Sequence, residues 1–291
     1  MEKERQYLEC EKKWIYRVLI IVAGFYGAYS MALRGGVFSN AQTGNVVLMA
    51  MAFGNGDWLQ GAYYLIPISA YALGGFVSEL LPVPIQKSRL IRWDTLLVLF
   101  EIVMVILMGF IPVTAPHQIC QVIINFICAM QYNTFRQAEG VSMATTFCTN
   151  HIRQLGMILA WGITGKKTAS QTRSRFWIHI VMVFCFAVGV VAGTVACRYL
   201  GVRGIWLNLV PLMIVFIDLL HADRTKEREL LEVTPSGIKT YLHRSDPKGA
   251  LLWVFLCHIV GEAFRLLWDG KPVPYNRCTQ RFAMTGSLRR K

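Results

Sequence analysis

Apolar residues in this chain gather into runs of about twenty, and polar residues collect between them. The runs are Trp14–Leu33, Trp58–Leu81, Trp93–Ile111, Ile119–Thr134, Phe176–Cys197 and Gly204–Leu220. About twenty helical residues at roughly 1.5 Å each cover the ~30 Å hydrocarbon core of a bilayer. Two further stretches break the pattern because amides and hydroxyls sit inside apolar sequence. The first is Gly35–Gly54, holding Ser39, Asn40, Gln42, Thr43, Gly44 and Asn45 with no charge among them. The second is Ala138–Gly162, holding Thr145, Thr146, Thr149, Asn150 and His151. The apolar run after Asn45 ends at Phe53, which is short for a full crossing.

The order span, polar element, span, span occurs twice. A shift of 106 residues aligns Tyr26 with Tyr132, Ala32 with Ala138, Thr43 with Thr149, Met51 with Met157 and Gly56 with Gly162. These patterns predict an all-α integral membrane protein of about six transmembrane helices. They form two three-helix halves, 14–112 and 113–220, each with a polar re-entrant or interrupted element, as an inverted repeat. If both polar elements cross fully, the alternative is eight spans. Positive charge favours six. With the N-terminus inside, the loops bearing Lys87, Arg89, Arg92 and Lys166, Lys167, Arg173, Arg175 both fall in the cytoplasm. Eight spans strand the first of these loops outside.

Composition supports the membrane assignment: 54% of residues are hydrophobic and only 16% charged, against about 25% charged in soluble domains. The net charge of +13 then reads as loop positives facing the cytoplasm and anionic lipid, not nucleic acid. Residues 1–13 form a cytoplasmic N-terminus. Residues 221–291 form a basic cytoplasmic tail, within which 250–268 reads as an amphipathic, interfacial helix carrying His258, Glu262 and Arg265. The eight cysteines include no CxxC and mostly lie in apolar runs, as small buried hydrophobes. The first apolar run lacks a convincing cleavage site and reads as a span that stays.

The stretch Ser39-Asn40-Ala41-Gln42-Thr43-Gly44-Asn45-Val46 resembles the signature of the YoaK family, bacterial multi-pass membrane proteins of unknown function. The second element, Thr145-Thr146-Phe147-Cys148-Thr149-Asn150-His151, departs from it, because Asn150-His151 stands where the family has Gly-Asn. The resemblance covers about residues 14–225. It implies a six-span protein of a bacterial inner membrane and brings no substrate.

Polar groups at membrane depth need protein partners or a wet cavity. In the first element, Thr43 or Asn45 would cap a helix beginning at Val46, and Gly44 would let the backbone approach a ligand. A half-helix N-terminus at that depth suits an anion. The alternative is that Asn40, Gln42 and Asn45 only bond neighbouring helices. Glu101 lies mid-span, where a carboxyl suggests a proton relay, a cation site or a partner for Arg153. Arg153 would bind an anionic substrate, pair with Glu101, or extend to the interface. Gln121, Asn125, Gln131 and Asn133 add uncharged polarity to one helix.

No nucleophile elbow, HExxH or P-loop is present, so the chain is expected to be neither an enzyme nor a holder of a cofactor or metal. Two functions fit. One is a transporter of a small organic anion or polar metabolite, with a midplane site built from the two polar elements. The other is a non-transporting scaffold or sensor acting through its basic tail. The expected partners are the lipid bilayer and a small-molecule or ion ligand; an oligomer is compatible with the sequence.

Overall fold

A computed structural model describes residues 7–82, 85, 91–165, 168–225 and 227–228. The tail helix expected at 250–268 lies outside the described residues, as do Lys87, Arg89, Lys166 and Lys167. The chain folds into helices, as apolar runs at this density dictate once backbone groups must bond within their own segment. They are α1 (Lys13–Leu33), α2 (Gln42–Gly54), α3 (Trp58–Leu80), α4 (Trp93–Phe110), α5 (His117–Thr134), α6 (Thr149–Thr164), α7 (Ala169–Leu200) and α8 (Leu209–Arg224). A 3-10 turn at Glu9–Glu11 precedes α1, and a 3-10 segment, Gly201–Asn208, joins α7 to α8. Three apolar stretches, Lys13–Leu33, Trp93–Phe110 and Ala169–Arg224, are long and apolar enough to cross a membrane. With α2 at 13 residues and α6 at 16, these two helices span about 20 and 24 Å at ~1.5 Å per residue, less than the ~30 Å core.

Side-chain and glycine contacts fix the helix directions. A Cβ on Gly189 of α7 would overlap the Ile21 carbonyl of α1, one on Gly24 would overlap Phe186, and Gly193 meets Ala28 and Phe25. The contacts advance from Ile21–Gly189 to Ala28–Gly193, so α1 and α7 run parallel at a close, glycine-lined crossing. The same device joins α3 and α5: Gly74 abuts the Phe126 carbonyl and Ala129, while Tyr63 meets Gln121 and Ser78 meets Asn133. Helices α3 and α5 are therefore parallel. In contrast, α1 and α5 are antiparallel, because Gln131 reaches the Leu19 carbonyl and Gln121 the Arg34 carbonyl. Helices α4 and α8 are also antiparallel: Thr95 bonds Asp223, and Trp206, just before α8, bonds the Ile106 carbonyl.

These directions define two ends. The near end carries the start of α1, the end of α3, the start of α4 and the end of α8. Arg92 ties it together: its Nε faces Asp94 at 3.2 Å and Asp223 at 3.9 Å, and its Nη1 pairs with Glu227. Glu227 also accepts from the Glu9 backbone at 2.6 Å. Outside the spans, Cys10 beside this cluster has its thiol pushed far up by burial and by the neighbouring Asp94. The far end carries the end of α1 and the starts of α3 and α5.

One feature departs from the expected all-helical plan. Residues 137–142 form a short antiparallel hairpin, β1 (Gln137–Ala138) with β2 (Val141–Ser142). Glu139 and Gly140 turn it with φ of 47° and 74°, the left-handed pair that a tight hairpin needs. Consequently the second helical element starts at Thr149, well after the expected Ala138, and α7 extends beyond the expected Phe176–Cys197 at both ends.

Candidate functional site

After α1 the chain reverses at Gly35 and Gly36, whose φ values of 79° and 69° are ones a side chain would resist. Arg34, at the bend, is fully buried. Its guanidinium donates to the Tyr29 hydroxyl (2.7 and 3.1 Å) and to the Ile111 and Pro112 carbonyls (2.7 and 3.0 Å). It thus caps the C-terminal end of α4, where a cation suits the helix dipole. Sequence reasoning passed over Arg34 because it falls between a span and the polar element.

The returning loop runs back along α1. Ser30 Oγ donates to the Val37 carbonyl at 2.6 Å, and Asn40 Nδ2 reaches the Ala23 carbonyl at 3.3 Å. Ala23 is the middle residue of the 21-residue α1, so α2 starts at the depth of the helix centre. Gln42 then donates to Asn125 of α5 at 2.6 Å. The N-cap is Ala41, with no side-chain cap bond, so neither Thr43 nor Asn45 caps a helix starting at Val46. Instead Asn45 Oδ1 accepts from the Phe38 N–H (3.0 Å) and Nδ2 donates to the Phe38 carbonyl (2.7 Å). An amide carries both the acceptor and the donor needed to satisfy the two backbone groups at once. A Cβ on Gly44 would strike the Phe38 ring, so that glycine admits the aromatic side chain. Thr43 is exposed.

The second element repeats this plan with different residues. His151 is buried, and its Nε2 meets the Ala144 carbonyl at 2.8 Å. Phe38 and Asn45 become Ala144 and His151 under the 106-residue shift. The histidine that departs from the family pattern therefore anchors its loop as Asn45 does. A carbonyl only accepts, so with neutral rings Nε2 carries the proton, and Nδ1 accepts from Nδ1 of buried His179 at 2.9 Å. His179, on α7, was not among the expected residues. Asn150 accepts from Arg153 at 3.0 Å, Thr149 is exposed, and Thr145 and Thr146 are fully buried.

Glu101 and Arg153 do not meet. Arg153 is exposed and also reaches the Met157 sulfur at 3.3 Å. Glu101 is fully buried, the ninth residue of the 18-residue α4. Tyr26 of α1 faces it, and Cys128 of α5 lies close by. Neither Glu101 oxygen has a hydrogen bond of normal geometry among the described residues, nor does the Tyr26 hydroxyl.

The same is true of Ser39 Oγ, Gln131 Oε1, Thr145 Oγ1 and Thr146 Oγ1, with Tyr71 of α3 facing Thr146. Three contacts place Gln131, Asn40 and Glu101 along one face of α1. Gln131 bridges the Leu19 and Thr145 carbonyls, Asn40 reaches Ala23, and Tyr26 faces Glu101. Leu19, Ala23 and Tyr26 follow 4 and 3 residues apart, the spacing of one helix face, over about 10 Å. Both polar elements thus converge on the middle of α1 with uncompensated oxygens, each costly to bury. By contrast, a cleft of about 380 Å³ lined by Lys13, Glu139, Ser174 and Arg175 holds none of these atoms. No group of three or more His, Cys, Asp or Glu able to hold a metal occurs among the described residues.

No curated protein and no solved structure matches the chain. A family model described as protein of unknown function (DUF1275) matches residues 15–217. That range runs from the start of α1 into α8 and takes in both polar elements, consistent with the resemblance to the YoaK family. The chain is a member of the DUF1275 family.

Proposed function

We propose that this protein is a membrane transporter for a small polar solute, with its site where the two polar elements meet α1. The observation that carries this reading is the set of buried, uncompensated oxygens at helix-centre depth. Irregular backbone at that depth is tolerated where it lines a path or a site. Two helix N-termini without side-chain caps, at Gln42 and Thr149, add free N–H groups beside it.

We propose six spans, α1, α3, α4, α5, α7 and α8, in two halves of opposite orientation. The pairing supports this: α1 packs on α7 as α5 packs on α3, each through glycine. Helix α2 starts mid-depth and returns to the far end, where α3 begins beside Gln121. Helix α6 starts beside His179 and returns to the near end, where α7 begins. The near end bears Lys13, Arg92, Arg136, Arg173 and Arg175, which suits the cytoplasmic side of a bacterial inner membrane. Of the two supports for an anion, Arg153 is exposed, and the uncapped helix N-termini remain. The chain is proposed to have no catalytic role.

The test is ligand-induced thermal stabilisation of the full-length protein in detergent, across cationic, anionic and neutral metabolites. Binding to the native state raises Tm with concentration. A shift in the parent that Thr145→Val and Thr146→Val both weaken supports the site; no shift with any class turns the account to the scaffold reading.

A further inference from the structure

We propose that the central site takes one positive charge, and that this cation and a proton compete for the carboxyl of Glu101. The inference rests on the transport reading and names the class of its substrate. All seven uncompensated atoms of the cluster, namely Tyr26 Oη, Ser39 Oγ, Glu101 Oε1 and Oε2, Gln131 Oε1, Thr145 Oγ1 and Thr146 Oγ1, are oxygens. Four of them are hydroxyls, which donate as well as accept, whereas Gln131 Oε1 and the two oxygens of an ionised Glu101 only accept. A guest that satisfies those three acceptors brings N–H donors or a positive charge.

Glu101 supplies the charge that selects it. The carboxyl is fully buried and no basic side chain reaches it. Tyr26 from α1 and Cys128 from α5 are the titratable groups facing it, and α8 and the 3-10 segment present none among the described residues. Arg34 is committed to Tyr29 and two carbonyls, and Arg153 is turned outward. An isolated carboxylate at this depth is costly, so the group holds either a proton or a cation. When the cation enters, the Glu101 O–H bond breaks, the proton leaves to water, and the carboxylate keeps its electron pair to bind the guest. The reverse step restores the acid, so one proton exchanges for one charge with no redox change. One carboxylate balances a monovalent guest and underserves a divalent one. A protonated primary amine and an alkali-metal ion share this chemistry.

The experiment uses the full chain in detergent in weakly buffered solution with a pH indicator. Ethylammonium chloride, sodium chloride and potassium chloride are added separately, with sodium nitrate beside sodium chloride as the anion control; Tm is followed in parallel. Expected is a cation-dependent rise in Tm with release of about one proton per chain, both weaker as the pH is lowered. Glu101→Gln, close to isosteric, is expected to keep its fold and Tm without ligand and to release no proton. Response to ethylammonium alone assigns an amine, and response to sodium or potassium an alkali ion. Proton release undiminished in Glu101→Gln, a rise in Tm without proton release, or no rise with any cation overturns the inference. The anionic and neutral arms of the earlier panel then decide separately whether the transport reading stands.

Discussion

Replacing Asn45 with alanine tests whether the first polar element is held together as the structure indicates. Asn45 makes three hydrogen bonds: it accepts from the Phe38 N–H at 3.0 Å, donates to the Phe38 carbonyl at 2.7 Å, and donates to Gln42 Oε1 at 3.0 Å. Alanine removes all three and leaves two backbone groups of Phe38 without partners. Each orphaned buried group costs about 1–3 kcal/mol. Because both contacts are only partly buried, the lower part of that range applies, giving about 2–4 kcal/mol in all. Thr43→Ala is the control: the side chain is exposed, and the expected loss is under about 0.5 kcal/mol. Asn40→Ala, which removes one bond of 3.3 Å, falls between them. The assay is reversible unfolding in mixed micelles of rising SDS fraction, followed by tryptophan fluorescence. Equal stability of Asn45→Ala and the parent would refute the anchoring role and return Asn45 to the ligand.

The cluster at the near end gives a larger effect. Arg92→Ala leaves Asp94, Asp223 and Glu227 without their shared cation, and about 3–5 kcal/mol of stability is expected to go in the same assay. In the second element, His151→Asn is expected to cost less than His151→Ala, because an amide can still reach the Ala144 carbonyl; equal losses would count against the correspondence with Asn45. Gly24→Ala and Gly74→Ala each push a methyl into a facing carbonyl, with an expected cost of about 1–3 kcal/mol apiece. A neutral result at either site would contradict that crossing.

A pH effect is expected at the hairpin. Partial burial opposes ionisation of Glu139, but bonds from the Lys13 side chain and backbone outweigh it and hold the carboxyl below its ordinary value of 4.5. A depressed value adds stability that is complete above 4.5 and fades as pH falls through the lower folded value. The Tm gap between the parent and Glu139→Gln is therefore expected to shrink below pH 4.5; a gap that widens there would refute the sign.

Hydrophobic runs located the helices well, because length and apolarity are local properties. The polar elements were legible for the same reason, since Asn40, Asn45, Thr145 and Thr146 are conspicuous in apolar sequence. What the sequence hid were partnerships across long separations. Nothing local marks His179 as the partner of His151, 28 residues away, or Arg34 as the cap of a helix ending at Phe110. Charge alone offers Arg153 as a partner for Glu101, yet Arg153 lies on the outward side of α6. The hairpin at 137–142 was missed because its strands are two residues each, too short for any alternation to show.

The central claim is that α2 and α6 each enter and leave on one face, and on opposite faces from each other. Single cysteines at Asn55 and Gly165, in a background freed of native cysteines, test it with a membrane-impermeant thiol reagent applied to intact cells and to inverted vesicles. The account expects Asn55→Cys to react from outside and Gly165→Cys from the cytoplasmic side. Both reacting from the same side would mean that α2 or α6 crosses the membrane, and would contradict the six-span, inverted plan.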